Sequence, residues 1–378
     1  MENQTLAPLS QAAWKQLVEL LAGGEESFLA PHRGVKLEHD QASGYRSLIH
    51  LFGYAVDLYM DNDPLRPTLV QLASPVRKML GDNVDSHYHF TQLDPTRSYR
   101  LYGRKGNHCY LGFCVYAGPR DGSWSDRIAA NMSHRDIEFE DNGAFELSLV
   151  PAASLPGSGE NGPSQSDAKN VIALDEDVSC LIVRQYFFDR DEAEPAELEI
   201  EMLEDIGPPA PLSDQETADR LRAATRFVEQ TMGAVPMPDL GEANKFLGFI
   251  EFDKNASGWG TTDNVYALGN YSLADDEALV VEGYPQPCCY FGLQLWNRYM
   301  QSLDYRYQRV AINGEQVEFE DDGSYRVIIS AVDPGLPNWI STAGHPEGVF
   351  FCRWLLADED LDMPSCSVVP VESLRPGG

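Results

Sequence analysis

The run LYGRKGNHCYLGFCVY at residues 101–116 aligns without gaps on VEGYPQPCCYFGLQLW at residues 281–296, pairing Gly103 with Gly283, Cys109 with Cys289, Tyr110 with Tyr290 and Gly112 with Gly292. At the same offset of 180 residues (281 minus 101), IEFEDNG (137–143) aligns on VEFEDDG (317–323) with five of seven positions identical. Alternating strand residues follow each, ELSLV and RVIIS. Two blocks in one register mark an internal duplication. Outward from them, D-x-x-Y occurs as Asp85–Tyr88 and Asp263–Tyr266, and LIVRQYFFD (181–189) matches FFCRWLLAD (350–358), which sets Arg184 opposite Arg353 and Asp189 opposite Asp358. Short runs rich in Tyr, Phe, Val and Ile, broken by Gly, Asp, Asn and Pro, are antiparallel β structure. The expectation is a mainly β chain with flanking helices (α+β): two tandem, duplicated antiparallel β-sandwich or jelly-roll-like lobes, each preceded by a helical segment. The boundaries read as a helical segment 1–80, a first lobe 81–206, a linking helix 207–247 and a second lobe 248–378.

Ser10 is placed to cap AAWKQLVELLA, which ends at Gly23-Gly24, and RSLIHLFGYAVDLYM carries Leu48, Leu51, Phe52, Ala55, Leu58 and Tyr59 on one stripe. Ser213 and Glu216 spell a capping box for a helix running to Met232. Residues 151–170 read as a polar surface loop, and E-F-E-D-[ND]-G as a strand, a tight turn and a second strand.

The 378 residues carry 59 Asp+Glu against 28 Lys+Arg, a formal charge of −31 with 43% hydrophobic residues. Such a chain has the apolar content to build a core, and its charge repels phosphate backbones and anionic lipid. No nucleic-acid or membrane partner is expected, and with no signal-peptide pattern or spanning run the reading is cytoplasmic. Seven cysteines, with no C-x-x-C pair, read as reduced and mostly buried thiols.

In a duplicated chain, positions shared by both lobes are expected to serve the fold and those unique to one lobe to serve function. Arg184 and Arg353, each in mid-strand, then read as structural residues whose guanidinium must be paired to be tolerated inside. The segment DPGLPNWISTAGHPEGVFF (333–351) looks unique to the second lobe, because the first carries a longer polar loop there. His345 is the one histidine of eight beyond residue 134. It is the candidate general acid or base, with Asp333 as its partner and Arg353 stabilising charge. Asn338, Trp339, Trp296, Asn297, Tyr266 and Tyr305 are the candidate ligand-binding residues. His87 and His89 share a strand face in DSHYHF, but the following acid, Asp94, is irregularly spaced, so no metal or other cofactor is expected. No G-x-S-x-G, Walker A, dinucleotide fingerprint or H-E-x-x-H occurs.

The stretch TTDNVYALGNYSLADDEALVVEGYPQPCCYFGLQLWNRYMQSLDYRYQ, then DGSYRVIISAVDPGLPNWISTAGHPEG and a strand with Arg-Trp-Leu, resembles the bacterial family whose C-terminal region is called domain of unknown function 1214. GDNVDSHYHF and SYRLYG resemble the partner region of the same proteins, so the likeness spans most of the chain, with D-P-G-x-P-N-W its most specific motif. The resemblance implies β-sandwich lobes and names no reaction. From the residues, the expected function is a small-molecule enzyme, a cofactor-independent lyase or hydrolase using acid–base chemistry on a partly apolar alcohol, glycoside or related metabolite. The alternative is a non-catalytic β-sandwich protein binding a carbohydrate or hydrophobic ligand. The sequence leaves the oligomeric state open, a homodimer included.

Overall fold

In the computed structural model, which describes residues 8–155, 169–237, 241–358 and 360–375, eighteen strands form four sheets. The first lobe contains β1 (Val70–Leu72), β2 (Ser86–Gln92), β3 (Tyr99–Arg104), β4 (Tyr110–Ala117), β5 (Arg127–Ser133), β6 (Ala144–Pro151), β7 (Val171–Leu174), β8 (Val178–Tyr186) and β9 (Glu197–Met202). The second repeats them as β10 (Phe249–Glu251), β11 (Asn264–Ser272), β12 (Glu277–Gly283), β13 (Tyr290–Trp296), β14 (Ala311–Asn313), β15 (Tyr325–Ser330), β16 (Trp339–Ser341), β17 (Glu347–Leu355) and β18 (Ser365–Pro370). Strand order is β1-β2-β8-β4-β5 over β7-β6-β3-β9 in one lobe and β10-β11-β17-β13-β14 over β16-β15-β12-β18 in the other. The protein is thus a mainly β, duplicated double sandwich with few helices. Pairing is antiparallel except for β6 with β7 and β15 with β16, which run parallel in both lobes.

The register fixes the duplication residue by residue. Arg184 lies between Tyr88 and Gly112, and Arg353 between Tyr266 and Gly292. Because side chains alternate along a strand, Leu181 and Val183 of β8 enter the core between the first lobe's sheets while Cys180 and Ile182 pack under the helices. In β17, Phe350, Cys352 and Trp354 enter the second core, and Val349 and Phe351 face outward. Both arginines therefore leave the outer faces of the five-stranded sheets, where the lobes meet.

The repeated Tyr-x-Gly is part of that meeting. Tyr110 of the first lobe donates to Asp263 of the second at 2.7 Å, and Tyr290 donates to Asp85 at 2.8 Å. Each ring lies along its own strand, over the glycine two residues on. A Cβ on Gly112 would stand 2.1 Å from the Tyr110 hydroxyl, and one on Gly292 2.5 Å from that of Tyr290. Gly112→Ala is expected to displace Tyr110 and strand Asp263, lowering stability by about 2–3 kcal/mol. Gly233→Ala, with nothing within 4 Å, should leave the melting temperature unchanged or raised; equal melting of the two variants would refute the role assigned to Gly112.

Among the described residues five α-helices accompany the sheets: α1 (Leu9–Ala22), α2 (Gly24–Ser27), α3 (Glu38–Ala55), α4 (Asp214–Ala234) and α5 (Val371–Leu374). The Ser213–Glu216 capping box forms. Ser10 does not cap α1 but lies within its first turn, where Asp214 accepts from the Leu9 and Ser10 amides at 2.8 and 3.2 Å. A cap supplied from a distant residue is invisible to local spacing. β1 falls inside the segment 1–80 expected to be helical, because it pairs with β2 and extends the first sheet. Of the 151–170 loop, residues 156–168 lie outside the described residues. E-F-E-D-[ND]-G forms its tight turn, with Gly143 and Gly323 at φ 82° and 83°, but the arm before each turn is not a strand.

Candidate functional site

Between the outer faces of the two five-stranded sheets lies a cavity of ≈ 440 Å³, closed on a third side by Phe227 and Thr231 of α4. Its walls come in equivalent pairs: Leu72 with Ile250, Tyr88 with Tyr266, Ile182 with Phe351, Arg184 with Arg353, and the 79–82 loop with the 257–260 loop. Reciprocity extends to the hydrogen bonds. Arg184 donates to the Trp259 carbonyl of the second lobe at 2.5 Å, and Arg353 to the Gly81 carbonyl of the first at 3.4 Å. Tyr116 donates to the Gly260 carbonyl, as Trp296 does to that of Asp82 at 3.0 Å. A pseudo-two-fold axis between the lobes accounts for every pair.

The electrostatics of this cavity are unusual. Both guanidiniums are buried, with Arg184 6% and Arg353 3% exposed, and among the described residues neither forms an ion pair with a carboxylate. The expectation that each would be paired is met only by neutral oxygens. Arg184 donates to the Tyr116 hydroxyl and the Trp259 carbonyl, and Arg353 to the Tyr186 hydroxyl at 3.3 Å and the Gly81 carbonyl. Nη1 of Arg184 and Nε of Arg353 are shielded from solvent and have no acceptor. Buried N–H groups of this kind cost free energy unless an acceptor arrives.

One wall breaks the symmetry: Tyr186 stands where the second lobe has Leu355. Its oxygen accepts from Arg353 and from the Asn264 amide, both at 3.3 Å. Burial alone would push this hydroxyl up, but the Arg353 and Arg184 charges outweigh it and hold Tyr186 below the ordinary value of 10.0. Tyr266 responds oppositely, pushed up to about 12 by burial. Asp82 and Asp85 are likewise raised by burial, the former against the pull of Lys78 and a Ser302 hydroxyl donor, the latter against Asn313 and Tyr290. Elsewhere the lining is apolar, with the Trp296 and Phe351 rings tilted 4.1 Å apart and Trp259 stacked 5.8 Å from Phe227.

The residues singled out from sequence divide among several places. Arg353, Trp296 and Tyr266 line the cavity. His345 and Asp333 do not join them, so the trio His345–Asp333–Arg353 is not assembled. Asp333 is exposed and accepts from the Gly335 amide at 2.7 Å, closing a turn. His345 packs against His39 of α3 with ring centroids 4.8 Å apart, and burial first, then His39, pushes it down to about 4. Asn297 folds a turn, accepting from the Tyr299 amide at 2.9 Å, and shares a cavity of ≈ 120 Å³ with His345. Tyr305 lies between Lys78 and Arg190, 3.6 and 4.6 Å from its ring, and borders a separate polar cavity.

Asn338 and Trp339 are corrected more sharply. Asn338 accepts from the Glu318 amide and donates to the Glu318 carbonyl at 2.8 and 2.7 Å, and Asn170 does the same to Glu138 at 2.8 and 2.9 Å. Both asparagines sit at positive φ, 57° and 58°. They are one structural device in two copies, and Trp339 opens β16, the counterpart of β7, with its indole N–H on Ser330 Oγ at 3.0 Å. The 333–351 segment is therefore not unique to the second lobe. Its counterpart follows the polar loop at a different offset, which a gapless comparison does not find.

Sequence reading missed Tyr88, Tyr186, Trp259, Phe227 and a functional reading of Arg184. The exchange of Tyr186 for Leu355 was the available signal.

Compared with known proteins, the chain resembles the crystal structure of an uncharacterised protein from Burkholderia cenocepacia, with a TM-score of 0.83 and 28% identity over 97% of this chain and 98% of that one. It also resembles the VPA0106 protein from Vibrio parahaemolyticus, with a TM-score of 0.51 and 12% identity over 86% and 96% of the two chains. The second likeness is one of fold alone. No family model and no curated protein matches the chain.

Proposed function

We propose that the protein is an acid–base enzyme acting on a small, largely apolar molecule that carries one carboxylate or similar anionic group, held in the cavity between the lobes. The observation that carries this reading is the pair of buried guanidiniums, each with an unpartnered N–H and no carboxylate beside it. A monoanion in the cavity would offer the guanidiniums an acidic acceptor and neutralise charge that the fold leaves uncompensated. Rings of Trp296, Phe351, Trp259 and Phe227 would receive the apolar body. Tyr186, a tyrosine with lowered proton affinity and two donors on its oxygen, is the group suited to take or give a proton.

Alcohols, glycosides and other neutral metabolites fit this site less well than acids, and His345 has no part in it. The apolar walls alone would also suit a carrier that holds the same ligand without converting it. A cytoplasmic setting accords with seven unpaired thiols, and no described helix is long and apolar enough to cross a membrane. The likeness to the domain of unknown function 1214 family belongs with this proposal.

Spectrophotometric titration in the phenolate band tests the acid–base role. One tyrosine should ionise below the ordinary 10.0 in the native chain, and that step should vanish in Tyr186→Phe. Unchanged titration in the variant would leave the carrier as the better reading.

A further inference from the structure

We propose that His39, Asp40 and His345 form a binding site for a divalent transition-metal ion of the zinc class, clamping the N-terminal helical segment to the second lobe. His39 and Asp40 lie in the first turn of α3, and His345 in the loop between β16 and β17. One ligand-capable atom of each lies within 4.8 Å of those of the other two. Two imidazoles and a carboxylate are the donor set such ions take.

The second observation concerns the hydrogen bonding of these three side chains. Nε2 of His39, Oδ2 of Asp40 and Nδ1 of His345 are all shielded from solvent with no hydrogen-bond partner. Asp40 is only 3% exposed, and the nearest cation to its Oδ2 is the Arg298 Nε at 3.7 Å. Three neighbouring side chains, each with a solvent-shielded ligand atom that has no hydrogen-bond partner, are not what packing alone produces. Zinc–ligand bonds of about 2.0–2.2 Å place ligands about 3–4 Å apart, so the three need to close by roughly an ångström.

Arg298 does not forbid the ion. Its Nη2 is held by Glu347 at 2.7 Å, so its charge is not spent on Asp40 alone. Arg298 then orients the Asp40 carboxylate from outside, as groups around metal ligands do. The two histidines lie near opposite ends of the chain, so no sequence spacing announces the site.

The test is a calorimetric titration of the chelator-treated full chain with Zn²⁺. One equivalent should bind with a dissociation constant in the micromolar range or tighter, and the melting temperature should rise, since an ion that binds only the native state stabilises it. His39→Ala and His345→Ala should each weaken binding ~100-fold or more and abolish the rise, while His87→Ala with His89→Ala should change neither. Should a variant fold poorly, Co²⁺ supplies a second readout. The native chain should show the visible d–d bands of an ion bound by nitrogen and oxygen, and folded His345→Gln should not. Absence of saturable Zn²⁺ binding, full affinity without His39 and His345, or loss of binding with His87 and His89 would each overturn the site.

Discussion

Arg353→Met is expected to melt at or above the temperature of the native chain and still to lose an apolar carboxylate ligand by at least ~100-fold, the equivalent of about 3 kcal/mol for a charge-assisted contact. The guanidinium gives the fold little. Its bonds to Tyr186 and Gly81 are long, at 3.3 and 3.4 Å, and its Nε has no acceptor. Exchanging a buried, poorly satisfied charge for an apolar side chain of similar length is often neutral or stabilising by ~1–4 kcal/mol. A residue whose removal raises stability while removing binding is held for function. Arg184 differs, because its bonds to Tyr116 and Trp259 at 2.8 and 2.5 Å are short; Arg184→Met should lower the melting temperature. A large drop for Arg353→Met in differential scanning calorimetry would make that side chain structural and sink the distinction.

Acidification from pH 6.5 to about 4 should destabilise the folded state through its buried histidines. His50, His89 and His108 are each pushed down to about 4, burial being the largest cause, with nearby Arg46, His87 and His134 respectively adding to it. In the unfolded chain these rings take up protons near the ordinary 6.5, and in the folded chain they refuse them until about 4. Throughout that window the unfolded state binds more protons, so stability falls as pH falls and levels off below it. A fully buried ring would contribute up to ~3 kcal/mol, discounted here because these rings keep some solvent contact. Asp82 and Asp85 are raised by burial and act in the opposite sense. Urea midpoints at neutral pH and near pH 4.5 measure the sum, and His89→Gln with His108→Gln should flatten the dependence by about two protons. Equal midpoints at the two pH values would contradict it.

The double sandwich was readable because register is a local property. Tyr110 and Gly112 recur with their neighbours at one offset, so a gapless alignment recovers the β3–β6 block, and a separate local match at a shorter offset recovers the Arg184–Arg353 pair. What those residues do was not readable, since Tyr110 meets Asp263 and Tyr290 meets Asp85 only when the lobes face each other. The same geometry explains why the residues singled out from sequence do not share one cavity. Asn338 looked lobe-specific because its twin, Asn170, follows a loop of different length, whereas Tyr186 opposite Leu355 satisfied the lobe-specific criterion in plain view. His345 drew notice by its isolation in sequence, yet its neighbour is His39, which no local pattern could supply.

The most direct measurement is a calorimetric titration of the native chain with short aromatic and aliphatic carboxylates, each run beside its methyl ester. Saturable binding of an acid at one site, no binding of the matching ester, and loss of the acid in Arg353→Met are the expected results. An ester that binds as well as its acid, or an acid held equally well by the Arg184→Met, Arg353→Met double variant, would contradict an anion site between the lobes.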